Sequence, residues 1–203
     1  MKIGLDFDNT IVCYDEAFYI NARERGVIPA EVGRSKVAVK DFLQANDLEE
    51  DWIALQGHVY GPGIAAARPF AGVIEFIGAA GDAGHSVYIV SHKTRHPFRG
   101  PQHDLHQHAA EWLMSQGIVG GLLERSAVYF ELTKEAKLQR VGNLGCDSFV
   151  DDLPSILEHP EFPKHTRPVL FDPTGSLPMD GGWTRLKDWL DAAYLLEPDG
   201  NRR

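Results

Sequence analysis

Five short apolar runs, each breaking off into polar side chains, set the tightest limit on how this chain can fold. They fall at residues 2–5, 87–90, 127–130, 147–150 and 169–171. Each is three or four residues long, bounded by turn or polar residues, and rich in branched or aromatic side chains. That is the signature of a strand buried on both faces. Between them the apolar spacing switches to a helical period, with Val73, Ile74, Phe76 and Ile77 on one face and Trp112 and Leu113 on another. Thr133 stands where a helix over 134–143 needs a cap, and Leu138 and Val141 share a face of it. A further helix is expected over 183–195, with Trp189 and Leu190 among its apolar residues. Strands alternating with helices predict an α/β fold, a parallel sheet with helices on both faces. Such sheets carry their sites outside the carboxyl ends of the strands, near the point where strand order reverses. Every polar cluster here lies at such an end: Asp6 to Thr10, Ser91 to Thr94, and Asp151-Asp152.

The first cluster has the most chemistry. In Asp6-Phe7-Asp8-Asn9-Thr10 the two acids straddle Phe7, so strand alternation turns both carboxylates to one side and the ring to the other. Carboxylates held that close repel unless a cation joins them. Oxygen donors favour a hard divalent ion, and Mg2+ is the expected cofactor. The pair also supplies a nucleophile beside a general acid/base.

Composition narrows the partners. The 203 residues suffice for one core of ordinary size with a small addition. A formal net charge of −9 and the lack of a basic tract argue against a nucleic-acid polymer as partner. No apolar run is long enough to span a bilayer, and Asp6 and Asp8 interrupt any signal-peptide core, so no membrane partner is expected. Cys13 and Cys146 are too few for a disulfide framework and suit free thiols in a reducing, cytoplasmic setting.

The turn Asp6-Phe7-Asp8-Asn9-Thr10 resembles the first motif of the haloacid dehalogenase-like (HAD) hydrolase superfamily. Ser91, closing the second apolar run, resembles its second motif, a helix-borne lysine its third, and Asp151-Asp152 its fourth. Four motifs in order resist chance far better than one. The resemblance implies a three-layer Rossmann-like core with a central parallel sheet plus a small helical cap. It implies that Asp6 attacks phosphorus, that Asp8 protonates the leaving group and then activates water, and that Ser91 binds a phosphoryl oxygen. Asn9, Thr10, His92 and Lys93 are expected beside the substrate. Asp6, Asp8, Asp151 and Asp152 are the implied metal set, with Asp152 favoured as the direct ligand. The third-motif lysine is Lys134, at the expected helix start, or Lys137 one turn on. Asp151 as a helix cap, Ser91 as a turn residue and Thr94 as its rival are the plainer readings.

A second aspartate in the first motif favours phosphoryl transfer over dehalogenation. The expected activity is Mg2+-dependent hydrolysis of a small phosphorylated metabolite through an aspartyl-phosphate, that is, a HAD-like phosphatase. A 5′-nucleotidase-like phosphatase and a non-catalytic HAD-like binding module are the alternatives. Residues 15–67 contain no strand pattern and read as a helical cap inserted after the first motif, with 1–14 and 68–196 as the core and 197–203 as a flexible tail. The histidines after Ser91 (His92, His96, His103, His106 and His108) are irregularly spaced and lack cysteines, so they read as a polar loop rather than a second metal site. Lys93 and Arg95 are candidates for a second anionic group on the substrate.

Overall fold

A computed structural model describes residues 1–178 and 181–197. In chain order the elements are β1 (Lys2–Leu5), β2 (Val12–Cys13), α1 (Asp15–Glu24), α2 (Lys36–Ala45), α3 (Glu49–Val59), a 3-10 turn (Pro62–Ala66) and β3 (Arg68–Pro69). Then follow α4 (Val73–Asp82), β4 (Ser86–His92), α5 (Leu105–Ser115), β5 (Val128–Glu131), α6 (Lys134–Leu144), β6 (Ser148–Asp151), α7 (Pro154–Leu157), β7 (Arg167–Phe171), β8 (Thr184–Leu186) and a 3-10 segment (Trp189–Leu196). No helix among the described residues is long and apolar enough to cross a membrane.

The chain forms two compact units. One comprises residues 1–11, 69–92 and 117–203 and holds the parallel sheet, ordered β5-β4-β1-β6-β7-β8. From β1 the chain moves outward through β4 to β5, then returns to the other side of β1 for β6, β7 and β8. The order therefore reverses between β1 and β6, where Leu5 pairs with Val150. This is the three-layer α/β core that the run pattern predicts. On one face Val90, Phe149 and Leu170 pack with Leu138 and Val141 of α6 and with Ile156 and Leu157 of α7. On the other, Phe171 stacks on Trp189 at 5.4 Å, and Trp189 meets Phe76 of α4 at 5.1 Å. Gly4 is required by close approach rather than by a turn: a Cβ there would stand 2.6 Å from Phe149 Cδ2.

The C-terminal helix expected over 183–195 is not present. Thr184–Leu186 instead adds a sixth strand, with Phe171 paired to Leu186, and a 3-10 segment follows. The apolar spacing served two elements. Leu186 is buried at the sheet edge, and Asp188 accepts the Leu190 amide at 3.0 Å, which starts the new turn. Trp189 packs inward while Leu190 is exposed. Past Glu197, the expected tail lies outside the described residues.

The second unit comprises residues 12–68 and 93–116. It holds α1, α2 and α3, and it also includes the loop after β4 and α5. Trp112 of α5 accounts for that recruitment, since its buried indole donates to the Ala67 carbonyl at 3.1 Å. Sequence distance concealed this pairing. Ser35 caps α2 by accepting the Ala38 amide at 3.1 Å, and Phe18 stacks on Trp52 at 5.1 Å between α1 and α3.

Candidate active site

β1 ends inside the sheet, so the next residue stays held: the Asp6 amide donates to the Val150 carbonyl of β6 at 2.8 Å. The chain then turns sharply. The Ile11 amide reaches the Phe7 carbonyl at 3.0 Å, and Asn9 takes a left-handed φ of 57°. Asparagine tolerates that region better than most residues. Phe7 is fully buried and meets Phe130 edge-on at 5.8 Å. β1 ends at Leu5, so residues 6–9 form a turn rather than an alternating strand: Phe7 anchors it in the core, while Asp6, Asp8 and Asn9 follow the carboxyl end of β1.

Lys137 provides the main link across the strand ends. It is 2% exposed, and its ammonium donates to Asp6 Oδ1 at 2.6 Å and to Asp151 Oδ2 at 2.5 Å. One cation thus joins the ends of β1 and β6. Lys134, favoured by its position at the helix start, is only half-buried, and it is Lys137, one turn further, that meets the acids. Thr133 fixes this phase of α6 by accepting the Ala136 amide at 3.1 Å. Asp151 is fully buried, and its other oxygen accepts the Leu153 amide at 2.9 Å just before α7. Asp151 does not cap α7, whose N-cap is Leu153 with no side-chain bond; its carboxylate closes a turn before the helix and meets Lys137.

Asp6, Asp151 and Asp152 each offer a carboxylate oxygen, all within 4.8 Å of one another, and Asp152 is the least buried of the three. Burial, opposed by Lys137 and reinforced by the charges of Asp151 and Asp8, pushes the Asp6 carboxyl up to about 7. Burial alone would lower the Lys137 value, but the charges of Asp151 and Asp6 raise it well above that of an ordinary lysine. Three oxygen donors this close together make a set that a hard divalent cation fits.

The Thr10 and Ser91 hydroxyls are buried, and neither Oγ has a hydrogen-bond partner among the described residues. Leaving a buried hydroxyl unmatched costs roughly 1–3 kcal/mol. Thr94, the rival of Ser91, is exposed in the other unit. His92 closes β4 half-buried. Burial and the nearby Lys137 charge lower its pKa, while a hydrogen bond to the Leu132 backbone opposes the shift.

The remaining candidates belong to the helical unit. Lys93 is buried there with its ammonium 5.3 Å from the Tyr60 ring centroid, and its carbonyl accepts His106 Nε2 at 2.7 Å. Arg95 is paired with Asp104 at 2.8 Å. His96 contacts the His103 carbonyl at 3.1 Å. The histidine tract is thus tied into its own loop; among the described residues only Asp6, Asp151 and Asp152 bring three ligand atoms within 4.8 Å. Sequence reading assigned nothing to Lys36 or Tyr60, which gather around Lys93 from 57 and 33 residues away. No local pattern links them.

No protein-family model and no curated protein matches the chain. Solved structures do. A predicted phosphoglycolate phosphatase from Haemophilus somnus 129PT superposes with a TM-score of 0.60 at 18% identity, covering 96% of this chain and 97% of its own. A HAD-superfamily hydrolase of subfamily IA, variant 1, from Geobacter sulfurreducens PCA gives 0.59 at 12%, covering 97% and 96%. A HAD family hydrolase from Deinococcus radiodurans R1, with bound phosphate and sodium, gives 0.55 at 15%, covering 96% and 94%. The chain therefore has the fold of the HAD-superfamily hydrolases.

Proposed function

We propose that the protein is a Mg2+-dependent phosphatase that hydrolyses a small phosphate monoester through an aspartyl-phosphate. The bridge from Lys137 to Asp6 and Asp151, set within three carboxylates, carries this reading. The fold it shares with HAD hydrolases, one of them holding phosphate, agrees with it.

Each residue's part follows from its surroundings. Asp6 is the nucleophile, and Lys137 orients its carboxylate and offsets charge building on the phosphoryl oxygens. Ser91 and Thr10 donate their unmatched hydroxyls to the same oxygens. Asp8, two residues on and less buried, protonates the leaving alkoxide. In the second half-reaction it takes a proton from water as that water attacks the phosphoryl group on Asp6. Asp6, Asp152 and the Asp8 carbonyl would hold Mg2+, with Asp151 supporting through Lys137. The ion supplies charge neutralisation for an incoming dianion.

The test is turnover of p-nitrophenyl phosphate and a panel of metabolite phosphates, with and without Mg2+, beside Asp6→Asn. Mg2+-dependent turnover abolished in Asp6→Asn is the expected result. Inertness across the whole panel would overturn the reading.

A further inference from the structure

Three imidazoles from separate stretches of the helical unit meet beside the end of α3. His58 of α3 and His103 of the loop after β4 have ring centroids 6.4 Å apart, and His103 and His108 of α5 have theirs 5.9 Å apart, each pair near edge-on. All three residues are half-buried. Glycines make this approach possible. A Cβ at Gly57 would stand 2.9 Å from Pro97 Cβ, one at Gly61 would stand 3.1 Å from His103 Cβ, and one at Gly63 would stand 2.9 Å from His58 Cδ2. The outer loop, 95–104, therefore rests on bare backbone.

The bonds of that loop are largely its own. The His103 amide donates to the Pro101 carbonyl and the Leu105 amide to the Arg95 carbonyl, both at 2.9 Å. Asp104 pairs with Arg95 and caps α5 through the Gln107 amide. The ion pair that reaches α3, Arg99 with Glu50 at 3.5 Å, joins two exposed side chains and contributes little. Attachment to α3 thus depends on the fit of Pro97 and His103 over Gly57 and Gly61 and on the contact between imidazoles.

Histidine is the side chain that gains charge just below neutral pH. A second proton on this trio sets like charges about 6 Å apart. The charged and titratable groups facing His58 are Glu24 and Arg25 at the end of α1, His103 of the loop and His108 of α5. Glu111 lies 3.8 Å from His108 Nδ1. Burial first, then Arg25 and His103, lower the His58 pKa, and Glu24 opposes them. A depressed folded-state value leaves the contact at full strength above 6.5 and weakens it as pH falls from there through the lower folded value.

We propose that His58, His103 and His108 form a proton-operated latch: neutral, they let the loop over 95–104 close on the end of α3, and protonated at mildly acidic pH they push it off. The latch is independent of the hydrolase reading.

Hydrogen exchange of the whole protein in EDTA, followed by mass spectrometry at about pH 7.5 and about pH 5 and corrected for the intrinsic effect of pH, tests it. The segment 95–105 is expected to lose about tenfold of its protection at the lower pH, the order that like charges about 6 Å apart produce at a half-buried site, while β4 keeps its own. In His103→Gln and in His58→Gln that loss should shrink to about twofold or less. A native loop whose protection does not change relative to β4 overturns the proposal, as does a loss as large in both variants as in the native protein. If His103→Gln already frees the loop at about pH 7.5, His58→Gln decides: a native-sized acid loss overturns the latch, and a diminished one supports it.

Discussion

Lys137 shows how much one buried side chain can carry. It is enclosed among carboxylates, so its removal strands the Asp151 charge in the interior. Breaking such a pair by deleting one partner costs about 3–5 kcal/mol. Lys137→Met is therefore expected to lower urea stability by about that amount, and to cut turnover at least a hundredfold through loss of phosphoryl charge stabilisation. Lys134→Met is expected to stay within about 0.5 kcal/mol of native stability, as for a surface change. Equal losses in the two variants would refute this assignment. Both lysines were visible in the sequence three residues apart, and a helical repeat brings such positions to neighbouring faces. What the sequence lacked was the phase of α6 against β1 and β6, which chain packing sets.

At the scale of elements, close packing between strands and the stop after β7 each make a prediction. Gly4 lets β1 lie against Phe149 of β6, where an added Cβ would stand 2.6 Å from the ring. Gly4→Ala is expected to destabilise by about 1–3 kcal/mol in denaturant titration, since an aromatic in a filled core has little room to yield. Asp172, just past β7, has a carboxyl held below the usual range. Burial opposes this, but the Leu177 amide, the Thr174 hydroxyl, the Ser176 amide and Arg185 outweigh it. A depressed folded-state pKa stabilises above the unfolded value of 3.8 and ceases to do so as pH falls through the lower folded one. Denaturation at several pH values should show Asp172→Asn weaker than the native protein by a constant margin above about pH 5, with the gap closing below pH 4. A margin independent of pH would exclude this account. The C-terminal misreading belongs to this scale too. Trp183, Leu186, Trp189 and Leu190 mimic a helix period over eight residues, but an available sheet edge beside β7 captured the first part.

For the whole molecule, the prediction concerns the ion. Bound Mg2+ would favour the folded state by mass action, so millimolar Mg2+ is expected to raise Tm in the native protein and less in Asp152→Asn. Chelation with EDTA should abolish turnover, and Mg2+ should restore it. An unchanged Tm together with EDTA-resistant turnover would remove the metal from the account. The division into two units was only partly legible. Residues 15–67 announced a helical insert through the lack of strand pattern, whereas α5 joined it through Trp112 and Ala67, 45 residues apart. The sequence by itself determined the alternation of strands and helices, the parallel sheet, and the placing of Asp6, Asp8, Ser91 and Asp151 at strand ends, because periods of 2 and 3.6 and short polar breaks are local properties of a chain. Only the tertiary structure decided that Lys137 bridges Asp6 to Asp151, that residues 184–186 form a strand, and that Lys36 and Lys93 meet on Tyr60. Those outcomes depend on which distant surfaces bury each other, and burial is a property of the folded chain as a whole.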